Sequence, residues 1–253
     1  MNLLEPALWQ PLALGFLIVL FRVAALVALL PAIGEASIPA RVKLAVSICL
    51  ALVLFPIVPQ VGPTELRGTQ IFILIASEIG IGLWFGILLR AFVFCLQTAG
   101  SIAAQSTSLS QILGTAGVEP MPAMGHVITM AGFTLALTLG LHVSAAGYLI
   151  ESYVLFPIGQ LPLMSDMAES VVKQIAWGFR LAFTLAAPFF ILSLLYNLTL
   201  GVINRAMPQL MVAFVGAPVI TAGALFVLAI ALPLMLRTWA IALFEFLHSG
   251  ALH

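Results

Sequence analysis

The chain has 253 residues, of which 63% are hydrophobic and only 7% charged, and its mean hydropathy is +1.22. Soluble domains carry about a quarter charged residues, so a surface this poor in charge has to be covered by lipid or by protein partners. Nine basic and nine acidic side chains cancel, which leaves no basic stripe for nucleic acid.

Taken in order, the apolar runs predict an all-α polytopic membrane protein of about six kinked helices arranged as hairpins. A spanning helix needs about 20 mainly apolar residues. The first run extends from Leu8 to Leu30 and is interrupted by Arg22; Glu5 stands where a cleaved signal would be basic, so the run reads as a retained helix. The second, Leu44 to Val58, is short and ends among Pro56 and Pro59. The third, Ile71 to Leu96, contains Glu78 and Arg90, and the fourth is Val127 to Ile150. The fifth, Ile175 to Ile203, contains Arg180, and the sixth, Val212 to Leu247, contains Arg237. Between the fourth and fifth, Glu151 to Lys173 reads as a solvated linker with Pro157, Gly159 and Pro162.

A charge in hydrocarbon costs on the order of 3 kcal/mol on insertion scales. Arg22, Glu78, Arg90 and Arg180 are therefore expected to face protein or water, while Pro188, Pro218 and Pro233 are expected to kink their helices. Glu78, Gly82, Gly86 and Arg90 recur at steps of four, and the two glycines permit another backbone to approach closely. That backbone is either a neighbouring helix of the same chain or a partner subunit. Loop charge is too sparse to orient the chain.

Gln97 to Gly125 is polar yet nearly uncharged, with Glu119 its one charge. On a helix, Gln97, Ser101, Gln105 and Ser108 share a face, which suits either a water-filled conduit or a polar seam between helices. Gly114-Thr115-Ala116-Gly117 breaks the helix, and Pro120 and Pro122 forbid an early restart. Met121 and Met124 supply adaptable side chains, so the stretch reads as a plug loop or as an exposed surface loop. Further on, Asn204-Arg205-Ala206-Met207-Pro208-Gln209-Leu210 is a polar turn joining two apolar helices into an antiparallel hairpin.

Signatures of chemistry are missing. There is no H-E-x-x-H helix, G-x-S-x-G elbow or phosphate-binding loop. His126, His142, His248 and His253 have no ligand-spaced partner, and Cys49 and Cys95 sit within apolar runs. No catalytic residue, cofactor site or metal site is assigned. The Asn197-Leu198-Thr199 sequon lies inside an apolar segment. Candidate subunit contacts are Arg41, Lys43, Glu78, Gly82, Gly86, Asn204, Arg205, Pro208 and Gln209.

Ser37-Ile38-Pro39-Ala40-Arg41-Val42-Lys43-Leu44 resembles the basic segment that opens the second apolar run in the FliR family of flagellar export-gate proteins. Thr98-Ala99-Gly100, Asn204 to Leu210, and Val215-Gly216-Ala217-Pro218 are similar to motifs of the same family, in the same order over essentially the whole chain. The resemblance implies one export-gate subunit with a FliP-like part over about 1–179 and a FliQ-like helical hairpin over about 180–253. With it, the polar face at Gln97, Ser101 and Gln105, read from spacing as a conduit wall or a polar seam, is expected to face the pore. The resemblance also implies a plug loop over 106–122 with Ser106, Ser108, Gln111, Leu113, Gly114, Gly117, Pro120, Met121 and Pro122. The implied partners are FliP-like and FliQ-like subunits, an FlhB-like switch protein, unfolded substrates in transit and membrane lipid. The implied place is the flagellar basal body in the bacterial inner membrane, with type III virulence secretion as the related setting. The sequence departs from the family pattern at Ser101, where a charged or amide residue is usual, and at Gln111, Ile112 and Leu113, where aromatics are common. An independent small-solute transporter is the rival reading; it would be expected to show internal repeats and charged midplane sites, and no clear repeat is visible.

Overall fold

A computed structural model describes residues 6–58, 68–107, 123–160, 162–207 and 212–249. These residues form seven helices: α1 (Pro6–Val27), α2 (Ala40–Leu54), α3 (Gly68–Thr107), α4 (Ala123–Thr138), α5 (Leu141–Leu155), α6 (Met164–Ala206) and α7 (Val212–Ser249). Among the described residues there is no strand. Three helices, α3, α6 and α7, contain spans long and apolar enough to cross a membrane, and a fourth crossing exists if α4 and α5 together make one broken span.

All six expected apolar runs are helical, and the fourth is split. Gly140, at φ 88°, adopts a left-handed conformation that favours glycine. Its N–H bonds to the Leu137 carbonyl, and its own carbonyl accepts from Val143 and Ser144. One residue thus closes α4 and opens α5, and the two axes bend by 72°. The expected linker from Glu151 to Lys173 is much shorter than the sequence suggests. Glu151 to Leu155 finish α5, and Met164 to Lys173 already belong to α6. α3 runs on through the polar stretch to Thr107, because Gln97 to Thr107 contains one glycine and no proline. Pro188 lies inside α6 without ending it, and α7 runs through Pro218 and Pro233.

The chain divides into two compact units. The first comprises α1, α2, α3 up to Ala91, α5, the start of α6 up to Ile175, and the end of α7 from Leu243. Its core is made of Val19, Val23 and Leu26 on α1, Leu54 on α2, Ile81, Phe85 and Leu88 on α3, and Leu149 on α5. The stripe on α3 faces α1. A Cβ on Gly82 would overlap the Arg22 carbonyl and crowd the Ala25 methyl, and one on Gly86 would press on Leu29. Edge-on aromatic contacts link Trp84, Phe85, Tyr148 and Phe156.

The second unit contains the rest of α3, α4 up to Ala136, α6 from Ala176 and α7 up to Ala242. Here α3 and α4 touch backbone to backbone: the Cα of Gly125 would collide with any Cβ on Gly100. Trp239 of α7, fully buried, donates its indole N–H to the Phe92 carbonyl at 2.9 Å. The bond meets the need of a buried indole for a polar partner and ties α7 to α3.

The glycine packing makes a controlled prediction. Gly82→Ala is expected to destabilise the detergent-solubilised protein by about 1–3 kcal/mol through overpacking. Gly80→Ala, two residues away and with nothing near the added methyl, is expected to be neutral or to stabilise by roughly 0.5–1 kcal/mol through helix propensity. Thermal midpoints of the two variants measured side by side check this.

Candidate functional site

The polar face of α3 begins at Gln97. Gln97 and Ser101 are half-buried and Gln105 is exposed. The Ser101 hydroxyl donates to the Gln97 carbonyl one turn back, at 2.8 Å, a common way for serine to satisfy itself in a helix. Its hydroxyl proton is therefore held by its own helix, and the amide-bearing Gln97 and Gln105 remain the stronger hydrogen-bonding groups of the stripe. Ser106 belongs to the last turn of α3. The other expected plug residues, Ser108, Gln111, Leu113, Gly114, Gly117, Pro120, Met121 and Pro122, lie outside the described residues.

Asn204 and Arg205 end α6 and are exposed, with Arg205 in the last turn, where a cation complements the helix dipole. Pro208 and Gln209 lie outside the described residues. Arg41 is exposed in the first turn of α2, and Lys43 donates its ammonium to the Gly34 carbonyl at 2.9 Å. Arg90 makes a two-pronged ion pair with Glu35, which lies on the connection before α2. Arg180 is exposed.

Among the described residues, the most elaborate polar arrangement surrounds Arg22, which is wholly buried together with Glu78. Arg22 Nε donates to Glu78 Oε2 at 2.7 Å, and Nη2 donates to Glu78 Oε1 at 3.0 Å. Nη1 reaches the Ser152 carbonyl at 3.1 Å, and both Nη1 and Nη2 reach the Phe156 carbonyl at 3.0 Å. The Tyr153 ring lies over the guanidinium, 3.9 Å from Cζ to its centroid, a distance at which the ring quadrupole attracts the cation. Glu78 Oε1 also accepts from the Gly159 N–H at 3.4 Å. The guanidinium fork has no N–H left over, so this centre has nothing to offer a ligand; it joins parts of the chain. Glu78, Gly82 and Gly86, expected among subunit contacts, meet residues of the same chain: Arg22 on α1 and Gly159 for Glu78, Arg22 and Ala25 on α1 for Gly82, and Leu29 just past α1 for Gly86.

The sequence placed Arg22 and Glu78 away from lipid but did not pair them. Nor did it single out Ser152, Tyr153 or Phe156, since the groups Arg22 uses on Ser152 and Phe156 are mainly backbone carbonyls, which any residue could present. Trp84, whose indole N–H donates to Ser170 Oγ at 3.0 Å and to the Met167 carbonyl at 3.2 Å, was not singled out either, because its partners lie more than 80 positions away. Among the described residues no group of His, Cys, Asp and Glu could hold a metal ion.

Apolar helices that expose large side chains outwards while turning their few buried charges onto each other define a polytopic helical membrane protein. The chain belongs to the family described as bacterial export proteins, family 1, whose pattern matches residues 13–246. It is 33% identical to the flagellar biosynthetic protein FliR of Caulobacter vibrioides over 225 residues, or 88% of this chain and 90% of that one. It is 29% identical to the protein of the same name from Escherichia coli, covering 85% of this chain and 83% of that one. A Yersinia pestis relative, Yop proteins translocation protein T, is 26% identical over 72% of this chain and 71% of its own length.

Removing one side of a buried ion pair strands the other. Arg22→Leu is expected to cost about 3–5 kcal/mol of stability, whereas Arg90→Gln, at a partly solvated pair, is expected to cost on the order of 1 kcal/mol. Thermal unfolding in detergent distinguishes the two, and equal losses would contradict the assignment of Arg22 as the buried centre.

Proposed function

We propose that this chain is a structural and gating subunit of the type III protein-export channel of the bacterial flagellum, in the inner membrane at the basal body. The observation that carries the reading is the family match along residues 13–246, together with relatives named flagellar biosynthetic protein that cover most of both chains. In this reading the chain catalyses no bond chemistry. It assembles with FliP-like and FliQ-like subunits and meets an FlhB-like switch protein. Residues 1–179 form the FliP-like part and residues 180–253 the FliQ-like hairpin. The helical run of α6 from Arg180 to Ala206, the 38 residues of α7 and their largely exposed apolar side chains support a hairpin that is covered by neighbours.

A wall for unfolded polypeptide in transit needs hydrogen-bonding groups that hold no cargo for long. Uncharged amides suit that role better than ions, because charge-assisted bonds are roughly twice as strong. Gln97 and Gln105 on α3 are the residues proposed for it, with Ser101 between them. The segment 106–122 is proposed as the plug, and Asn204, Arg205, Pro208 and Gln209 as subunit contacts, with Arg41 and Lys43 at the start of α2. The match to Yop proteins translocation protein T favours one alternative setting, the corresponding subunit of a virulence secretion system.

Solubilisation in mild detergent is expected to recover the chain together with FliP-like and FliQ-like companions, identified by mass spectrometry. A chain that purifies alone, monodisperse and active in lipid would favour the transporter reading instead. Deletion of Gly114 to Gly117 is expected to raise small-solute leakage through the assembled gate. Unchanged leakage with normal flagellin secretion would rule out the plug.

A further inference from the structure

α5 ends at Leu155, so its last carbonyls lack partners within the helix. The Ser152 carbonyl, just ahead of them, takes the closing bond of the helix from the Phe156 N–H at 3.0 Å and also accepts from Arg22 Nη1. The chain then leaves helical geometry at Phe156, with φ −130° and ψ 87°. The carbonyl of this first non-helical residue accepts from both terminal nitrogens of Arg22. Three residues later Gly159 turns through φ 83° with its N–H towards Glu78. Arg22 therefore sits at the C-terminal end of α5, where the backbone presents partial negative charge, and its counter-ion reaches the far side of the same turn.

We propose that Arg22 is a positioning residue that acts as a helix cap supplied from another helix. Its planar fork holds the carbonyls of Ser152 and Phe156, fixing the 156–160 turn and hence where α6 begins, while Glu78 neutralises the buried charge. The ion pair lowers the cost of burying the charge; the cap is what places the turn. The Trp84 bonds to Met167 and Ser170 then seat the first turns of α6 on α3. This role of Arg22 does not depend on the export-gate reading.

The cap and the pair make different demands on chemistry. A lysine pairs with a carboxylate as a point charge but lacks the planar fork that spans two carbonyls as well. Reversing the pair restores the charges but aims a carboxylate at carbonyl oxygens. The test uses the full-length chain in native membranes, with Cys49→Ser to silence the exposed thiol and Ile158→Cys in the turn as reporter. The rate of modification by an uncharged maleimide is the readout. Arg22→Lys and the reversal Arg22→Glu with Glu78→Arg are both expected to raise the rate at least about tenfold, as loss of charge-assisted hydrogen bonds to a turn should. Glu78→Gln, which leaves the fork on the carbonyls, is expected to change it less than about twofold while lowering thermal stability. Wild-type labelling in Arg22→Lys, or its restoration by the reversal, would overturn the proposal. If variants fail to accumulate, loss of both Arg22→Lys and the reversal with Glu78→Gln retained supports the cap, and every other pattern overturns it. Co-purification with gate partners, scored on the parent chain, tests the export-gate reading separately.

Discussion

An ionised guanidinium inside an apolar chain tolerates very few surroundings. Desolvating it costs several kcal/mol even after relaxation, and a counter-ion and a set of acceptors together offset that cost. At Arg22 they arrive from separate places: Glu78 from α3, and the Ser152 and Phe156 carbonyls from the end of α5 and the turn beyond it. The packing of α1 on α3, the position of α5 and the path of the chain towards α6 all have to agree with that one side chain. An apolar residue at 22 would impose no such requirement, since dispersion contacts are non-directional and accept many arrangements.

The glycines on α3 make this agreement sterically possible. Gly82 lies one turn after Glu78 and sits against the backbone of Arg22 itself. Close approach of the two helices therefore brings the carboxylate within hydrogen-bond distance of the guanidinium. The same logic recurs in the second unit, where Gly100 and Gly125 let α3 and α4 touch and where the Trp239 indole is bonded to the Phe92 carbonyl. In a protein with few charges, hydrogen bonds from large side chains to helix carbonyls do the specifying that surface ion pairs do elsewhere. Each such bond is directional, and each leaves a costly unpaired group if it is lost.

The outer surface carries the complementary message. Phe72, Phe183, Phe190, Leu194 and Leu198 are all well exposed, so much of the chain's apolar area is not buried by the chain. An isolated molecule with that surface would associate with whatever apolar material was near. Membership of a bacterial export family gives the exposed faces a natural use, as surfaces for lipid or for neighbouring subunits.

The helices themselves were legible from residue order because a run of apolar residues in a chain this poor in charge has few alternatives to helix, and backbone groups away from water must be satisfied within the segment. The exclusion of Arg22 and Glu78 from lipid was legible on the same ground. Which partner each charge would meet was not, because the residues that answer Arg22 lie 56 to 134 positions away and offer, apart from Glu78, groups that every residue carries. The split at Gly140 and the shortness of the α5–α6 connection were also invisible. A glycine marks a permitted left-handed turn without requiring one, and Pro157 and Pro162 look alike in a long solvated linker and in a tight turn held on a buried arginine. Composition and periodicity act locally and settle what each segment is; the direction of a turn and the identity of an ion's partner are settled only when distant segments compete for the same small polar space.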